Sequence, residues 1–308
     1  MNNDNNKNNE KNDKNERKLN KNVSFFVLGI FSIFLVFLIL VLVLSSYEHK
    51  KKVVIYELKG PIVNYQDYDV IYKDKVINDL DYFEKHYDGV ILYINSPGGD
   101  AYATKKIAEK IEEVKSEIPV IACVDEIAAS GAYWLASSTD YIVADDFSIV
   151  GSIGLLASYL QFKKLMDKLG IKYERIVFGK YKDIMSPFRN LTPEEKQLIM
   201  KKLSYLYDYF VKEVARNRHL NYSYAKKLAT GEIFFGYEAI NNGLIDKIGD
   251  LGDCKEIIAE RLNTTINNIT FTTVKGYEEQ EFSIFGLSFG YGLGLALRND
   301  FEKLLKLS

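Results

Sequence analysis

From residue 52 onward, short apolar runs alternate with segments of helical period, and this alternation restricts the fold more than any other feature. Strand-like runs lie at Lys52–Leu58, Gly89–Asn95, Pro119–Val124, Tyr141–Ala144 and Lys172–Phe178. Apolar positions recur with helical spacing over 72–86, 101–114, 130–138 and 160–169. Thr192-Pro-Glu-Glu195 reads as a capping box with proline at the first helical position, and it opens a long helix to about Arg218. Strands joined through helices need crossover connections, so the pattern predicts an α/β fold on a mostly parallel sheet.

The chain before this region has a different solvent in view. Residues 1–22 hold ten Asn and mixed charge, cannot bury a core, and read as a disordered polar tail. Val23–Leu44 is a run of 22 residues without a charge. About 20 apolar residues span a bilayer. The run exceeds the roughly 7–15 apolar residues of a cleavable signal and has no small-residue cleavage site after it. It predicts a transmembrane signal anchor in contact with the lipid bilayer. Lys11, Lys14, Arg17, Lys18 and Lys21 precede it, and Lys50, Lys51, Lys52 and Lys59 come after it. This slight excess places the N-terminus in the cytoplasm and the body outside the cell membrane, as a single-pass protein. Residues 45–52 are a linker, 53–275 the main domain, and 276–308 a flexible apolar C-terminal tail.

Composition excludes several chemistries. The net charge of −2 across 308 residues argues against nucleic acid as a partner. Two cysteines without a C-x-x-C spacing leave no disulfide scaffold and no cysteine zinc site; Cys123 and Cys254 read as free buried thiols. Three histidines give little material for histidine-based triads or metal sites, and His86 reads as a surface residue at a helix end.

Three places join strand ends to unusual backbone, where sites in open α/β sheets lie. Asn95-Ser-Pro-Gly-Gly-Asp100 comes after an apolar run and precedes a helix, so bare N–H groups at Gly98 and Gly99 could face a developing oxyanion or simply form a turn. Asp125-Glu-Ile-Ala-Ala-Ser-Gly-Ala-Tyr-Trp134 puts Ser130 among small residues at a helix start, as a nucleophile or as an N-cap. Asp125 and Glu126 read as structural, and Trp134 as pocket lining or packing. Gly179-Lys-Tyr-Lys-Asp-Ile-Met-Ser-Pro187 comes after the last strand-like run. A lysine serves as base only when neutral, and a shift to pH 7–8 takes roughly 4 kcal/mol of differential stabilisation, which requires a dry site.

Together these motifs, with Val150-Gly-Ser-Ile-Gly154 and Gly236-Tyr-Glu-Ala-Ile-Asn-Asn-Gly-Leu-Ile-Asp246, resemble the single-protease-domain form of the signal peptide peptidase SppA family and its SohB relative, from about Val53 to Asp253. The resemblance implies a ClpP/crotonase-like fold of repeated ββα units. It implies a serine endopeptidase with a Ser/Lys dyad: Ser130 as nucleophile, Lys182 as base, Ser152 supporting the lysine, and backbone oxyanion donors at Gly98 and Gly99. Lys180, two positions before Lys182, is then the solvated lysine. The resemblance also implies no metal or cofactor, peptide substrates such as signal peptide remnants, and a ring-like homo-oligomer. A crotonase-like acyl-CoA enzyme and a non-catalytic membrane scaffold of the same fold are the rival readings.

Overall fold

The computed structural model describes residues 29–39 and 50–278. The polar tail 1–22 and the C-terminal tail beyond residue 278 lie outside the described residues. Of the apolar run 23–44, only 29–39 are described. They form a helix, α1 (residues 29–39), with exposed apolar side chains such as Phe31 and Ile33. At 1.5 Å per residue this described part spans about 16 Å, roughly half a bilayer core. Among the described residues no helix is long and apolar enough to cross a membrane.

The unit that begins at Lys51 runs through β1 (Lys51–Lys59), β2 (Ile62–Val63), β3 (Ile71–Tyr72), α2 (Lys73–His86), β4 (Gly89–Ser96), α3 (Ala101–Lys115), β5 (Val120–Ala129), α4 (Gly131–Ser137), β6 (Tyr141–Ala144) and β7 (Ile149–Gly151). It continues with α5 (Lys163–Lys168), α6 (Pro193–Asn217), α7 (Tyr222–Leu228), β8 (Ile233–Phe235), α8 (Gly236–Ala239), β9 (Lys247–Ile248), α9 (Leu251–Arg261) and β10 (Ile269–Lys275). The main sheet has the order β10-β1-β4-β5-β6-β9, all parallel, while β7 joins β5 in parallel and β8 antiparallel.

Strand side chains alternate faces with period 2, and the two faces feed different cores. Val54, Tyr56, Leu58, Leu92 and Ile94 pack with α2, α3, α4 and α6 residues such as Leu80, Ile107, Leu135 and Phe210. Val53, Ile55, Ile91, Ile121 and Cys123 pack on the other side with Cys254 and Ile258 of α9. Both cysteines are free and buried. The neighbouring Cys123 thiol, together with burial, pushes the Cys254 thiol up.

The capping box at Thr192 forms as read. Thr192 Oγ1 accepts from the Glu195 N–H at 3.2 Å, and the Glu195 carboxylate accepts from the Thr192 N–H at 2.9 Å.

Two expectations need correction. Residues 172–178 form no strand. Ile176 and Phe178 are 92% and 98% exposed, so their alternation has no sheet face to serve. The helix expected over 160–169 shortens to α5, which buries no side chain.

Candidate active site

The site starts from an irregularity in β5. Ile94 of β4 pairs with Val124, but Ser96 pairs with Ala128, so β5 carries extra residues that β4 does not match. The excess forms a bulge at the exposed Asp125 and Glu126, and a bulge bends its strand and re-aims the residues beyond it. The Tyr93 hydroxyl donates to Asp125 at 2.6 Å, and the Ser148 hydroxyl donates to the Asp125 carbonyl at 2.8 Å, which pins the bulge. Past the bulge, β5 leaves β6 and pairs with β7.

Ser130 comes directly after β5. Its φ of 54° and ψ of −121° lie outside the regions favoured for a residue with a side chain. Such strain persists only where the surroundings enforce it. The Ser130 N–H donates to the Gly151 carbonyl at 2.8 Å, tying the turn to the end of β7. Although Ser130 stands at the N-cap position of α4, its side chain makes no capping hydrogen bond. The N-cap reading is therefore overturned: the hydroxyl is held at a helix start and left available.

Gly98 and Gly99 lie against this turn. Gly98 has φ of 92°, and a Cβ there would sit 2.6 Å from the Gly131 nitrogen and 2.7 Å from the Ala129 carbonyl oxygen. Only glycine permits this approach. The Gly98 N–H donates to the buried Ser96 hydroxyl at 3.1 Å. On the outer side, the Ile62 N–H donates to the Gly98 carbonyl at 2.9 Å and the Asp100 N–H donates to the Ile62 carbonyl at 2.8 Å. That pairing leaves the Gly99 N–H without a partner among the described residues. The Gly131 N–H is also free of the helix ladder, because it opens α4. Sequence reading missed Gly131. Its signal was its place directly after Ser130, at the positive end of a helix dipole.

Ser152 reaches the same place from β7. It has φ of 50°, and its N–H donates to the Glu232 carbonyl at 2.8 Å. Ser130 and Ser152 line one cavity of about 440 Å³ with Leu155, Leu156, Tyr207 and Gly231. Two other cavities have comparable volumes: about 400 Å³ beside Asp67, Asp74 and Asp79, and about 440 Å³ beside Met185, Leu191 and Leu203. Size does not select the site. The convergence of strained serine and glycine backbone does.

Lys182 stands apart. It occupies a turn in which its N–H donates to the Gly179 carbonyl at 3.1 Å, its side chain is exposed, and it does not line the cavity that holds Ser130 and Ser152. The dry setting expected for a lysine base is absent in the single chain. What fixes the turn is the next residue. Asp183 receives Arg189 at 2.9 Å and Arg175 at 2.6 Å, and Arg189 reaches Glu195 at the start of α6 at 2.6 Å. The arginines hold the Asp183 and Glu195 carboxyls well below the usual carboxylate range. Lys180 pairs with Glu194 at 2.6 Å on the surface. Trp134 packs rather than lines the cavity: it stacks on Phe210 of α6 with ring centroids 4.9 Å apart.

The model of Peptidase family S49 matches residues 112–265, half of the chain, and that of the Clp protease family matches residues 46–142. A provisionally named protease of Methanocaldococcus jannaschii is 43% identical over 222 residues, covering 71% of this chain and 70% of that protein. The chain belongs to peptidase family S49. A provisionally named signal peptide peptidase SppA of Enterococcus faecium is 35% identical over 183 residues, covering 59% of this chain and 53% of that protein, so the chain spans about half of that relative's length. A provisionally named protease SohB of Buchnera aphidicola is 31% identical over 209 residues, covering 67% of this chain and 60% of that protein. The S49 assignment makes this chain a serine peptidase of the SppA and SohB type. Its S49 match runs through β5, the Ser130 turn, Ser152 and the Lys182 turn.

Proposed function

We propose that this S49 peptidase is a membrane-anchored endopeptidase with a Ser130/Lys182 dyad. The neutral Lys182 amine takes the proton of the Ser130 hydroxyl as Oγ attacks a peptide carbonyl. The carbonyl oxygen becomes an oxyanion held by backbone N–H groups at Gly99 and Gly131, and the Gly98 N–H, which donates to the Ser96 hydroxyl, joins them only by giving up that bond. Collapse expels the amine, which takes the proton back from Lys182, and leaves an acyl-enzyme. Water then attacks that ester and gives a proton to Lys182, which passes it to Ser130 Oγ as the acyl–oxygen bond breaks and the carboxyl product leaves. Ser152 is the hydroxyl that supports the amine.

One observation carries this reading: Ser130 sits in strained backbone at a helix start, with its hydroxyl uncommitted and glycine backbone packed against it. The lysine half needs a move. Lys182 is exposed in the single chain, and the same segment leaves Leu156, Ile176 and Phe178 bare. Closing the segment over the cavity, or docking it on a neighbouring copy in a ring-like homo-oligomer, buries the apolar side chains and dries the amine in one step. The apolar run 23–44 anchors the chain with its N-terminus in the cytoplasm and the peptidase unit outside. The name carried by the Enterococcus relative supports signal peptide remnants as substrates.

The test is turnover of a quenched signal-peptide substrate by the full chain in detergent or liposomes. Ser130→Ala and Lys182→Ala are each expected to abolish cleavage while the fold survives. Full activity in a folded Lys182→Ala variant overturns the dyad.

A further inference from the structure

Among the described residues, two buried side-chain polar atoms lack a hydrogen-bond partner: Thr104 Oγ1 and Trp134 Nε1. Such orphaned groups are rare, because the desolvation of the hydroxyl goes uncompensated. Thr104 is the informative one. It is 0% exposed, in the second turn of α3. A helical threonine often bonds back to the carbonyl four residues earlier. Here the Asp100 carbonyl takes the Thr104 N–H at 2.9 Å, and the hydroxyl has no such bond.

The hydroxyl lies instead at the meeting point of the two loops that carry the site. A Cβ on Gly131 would sit 2.5 Å from Thr104 Oγ1, 3.3 Å from Thr104 Cγ2 and 3.4 Å from the Gly99 nitrogen. The Gly131 Cα–H bond in that direction therefore points at Oγ1, a weak donor facing an acceptor with no other partner. α3 starts just after Gly99 and α4 just after Ser130, so two helix N-termini converge here. Thr104 is a buried polar side chain of α3 that meets the first residue of α4.

We propose that Thr104 is a positioning residue for acyl transfer: its hydroxyl backs the Gly131 Cα, so that the peptide next to Ser130 keeps its N–H in place. The proposal rests on Ser130 as nucleophile. It gives Thr104 no contact with substrate. It makes the uncompensated hydroxyl the cost of a donor held ready before charge develops.

Valine has the shape of threonine without the hydroxyl, and this separates positioning from packing. Removal of an unpartnered buried hydroxyl leaves stability unchanged or higher, so Thr104→Val is expected to keep or raise Tm. Its kcat is expected to fall about tenfold or more, with KM within about twofold, because only a transition-state contact is disturbed. Thr104→Ser retains the hydroxyl, and its kcat is expected to stay within about threefold of wild type. The full chain is assayed on a quenched peptide, with Ser130→Ala in parallel. Wild-type kcat in Thr104→Val, or equal losses in the valine and serine variants, overturns the role of the hydroxyl. Unchanged turnover in Ser130→Ala overturns the nucleophile assignment and this proposal with it.

Discussion

Gly98 packs against Ser130 so closely that a Cβ on Gly98 would lie 2.9 Å from the Ser130 Cβ. Two loops distant in sequence thus share one surface, with the hydroxyl on one and bare peptide groups on the other. The proposed acyl transfer takes place on that surface.

Gly98→Ala meets two penalties at once. The residue would hold φ of +92°, and its Cβ would press on the Gly131 nitrogen and the Ala129 carbonyl. Backbone strain of this kind costs about 1–3 kcal/mol. Turnover is expected to fall about 100-fold or more, because the donors near the oxyanion move. Gly170→Ala is the control: φ is +71° but nothing lies within 4 Å of its Cβ. It is expected to lose about 1 kcal/mol of stability and to keep turnover within about twofold. Melting curves and kcat on both variants check the contrast.

Lys182→Arg separates a base from a positive charge. Arginine stays protonated at all working pH values, so it cannot accept the Ser130 proton. Loss of a general base lowers turnover about 100- to 10,000-fold. An arginine variant with near-normal turnover contradicts the lysine's role.

Arg189→Ala removes the link between the Lys182 turn and α6. Arg189 holds Asp183 at 2.9 Å and Glu195 at 2.6 Å. Both carboxyls are depressed in the folded state, with Arg189 the largest cause for each. A depressed carboxyl stabilises the fold above its unfolded pKa of about 4 and loses that contribution as pH falls through the folded value. The Tm difference between wild type and Arg189→Ala is therefore expected to be constant above about pH 5 and to shrink below about pH 4. Turnover is expected to drop at least about tenfold at neutral pH, because the lysine turn loses its anchor. A difference that grows in acid refutes the sign.

Much of the fold was readable because burial and period agree. Gly89–Ser96 is apolar on both faces because both faces meet a core, and Thr192 with Glu195 wrote the start of α6. The run 172–178 misled because its alternating apolar residues face solvent in the single chain. β10 escaped notice because its Thr-rich run Ile269–Lys275 is half exposed at the sheet edge beside β1. At the site, the Ser130, Gly98 and Gly99 loops were legible from residues that need special backbone. Gly131 and Thr104 were not, since their parts come from the approach of α3 to α4. The placement of Lys182 rests on Asp183, Arg189 and Glu195, a tertiary set of ion pairs that no local pattern encodes.

The most direct measurement is labelling of the full chain in liposomes with a serine-directed fluorophosphonate, read by peptide mass spectrometry. The account predicts modification at Ser130 in wild type, and a rate at least about 100-fold lower in Lys182→Ala, because the hydroxyl has lost its base. Modification at another serine, or labelling of Ser130 at the wild-type rate without Lys182, contradicts it.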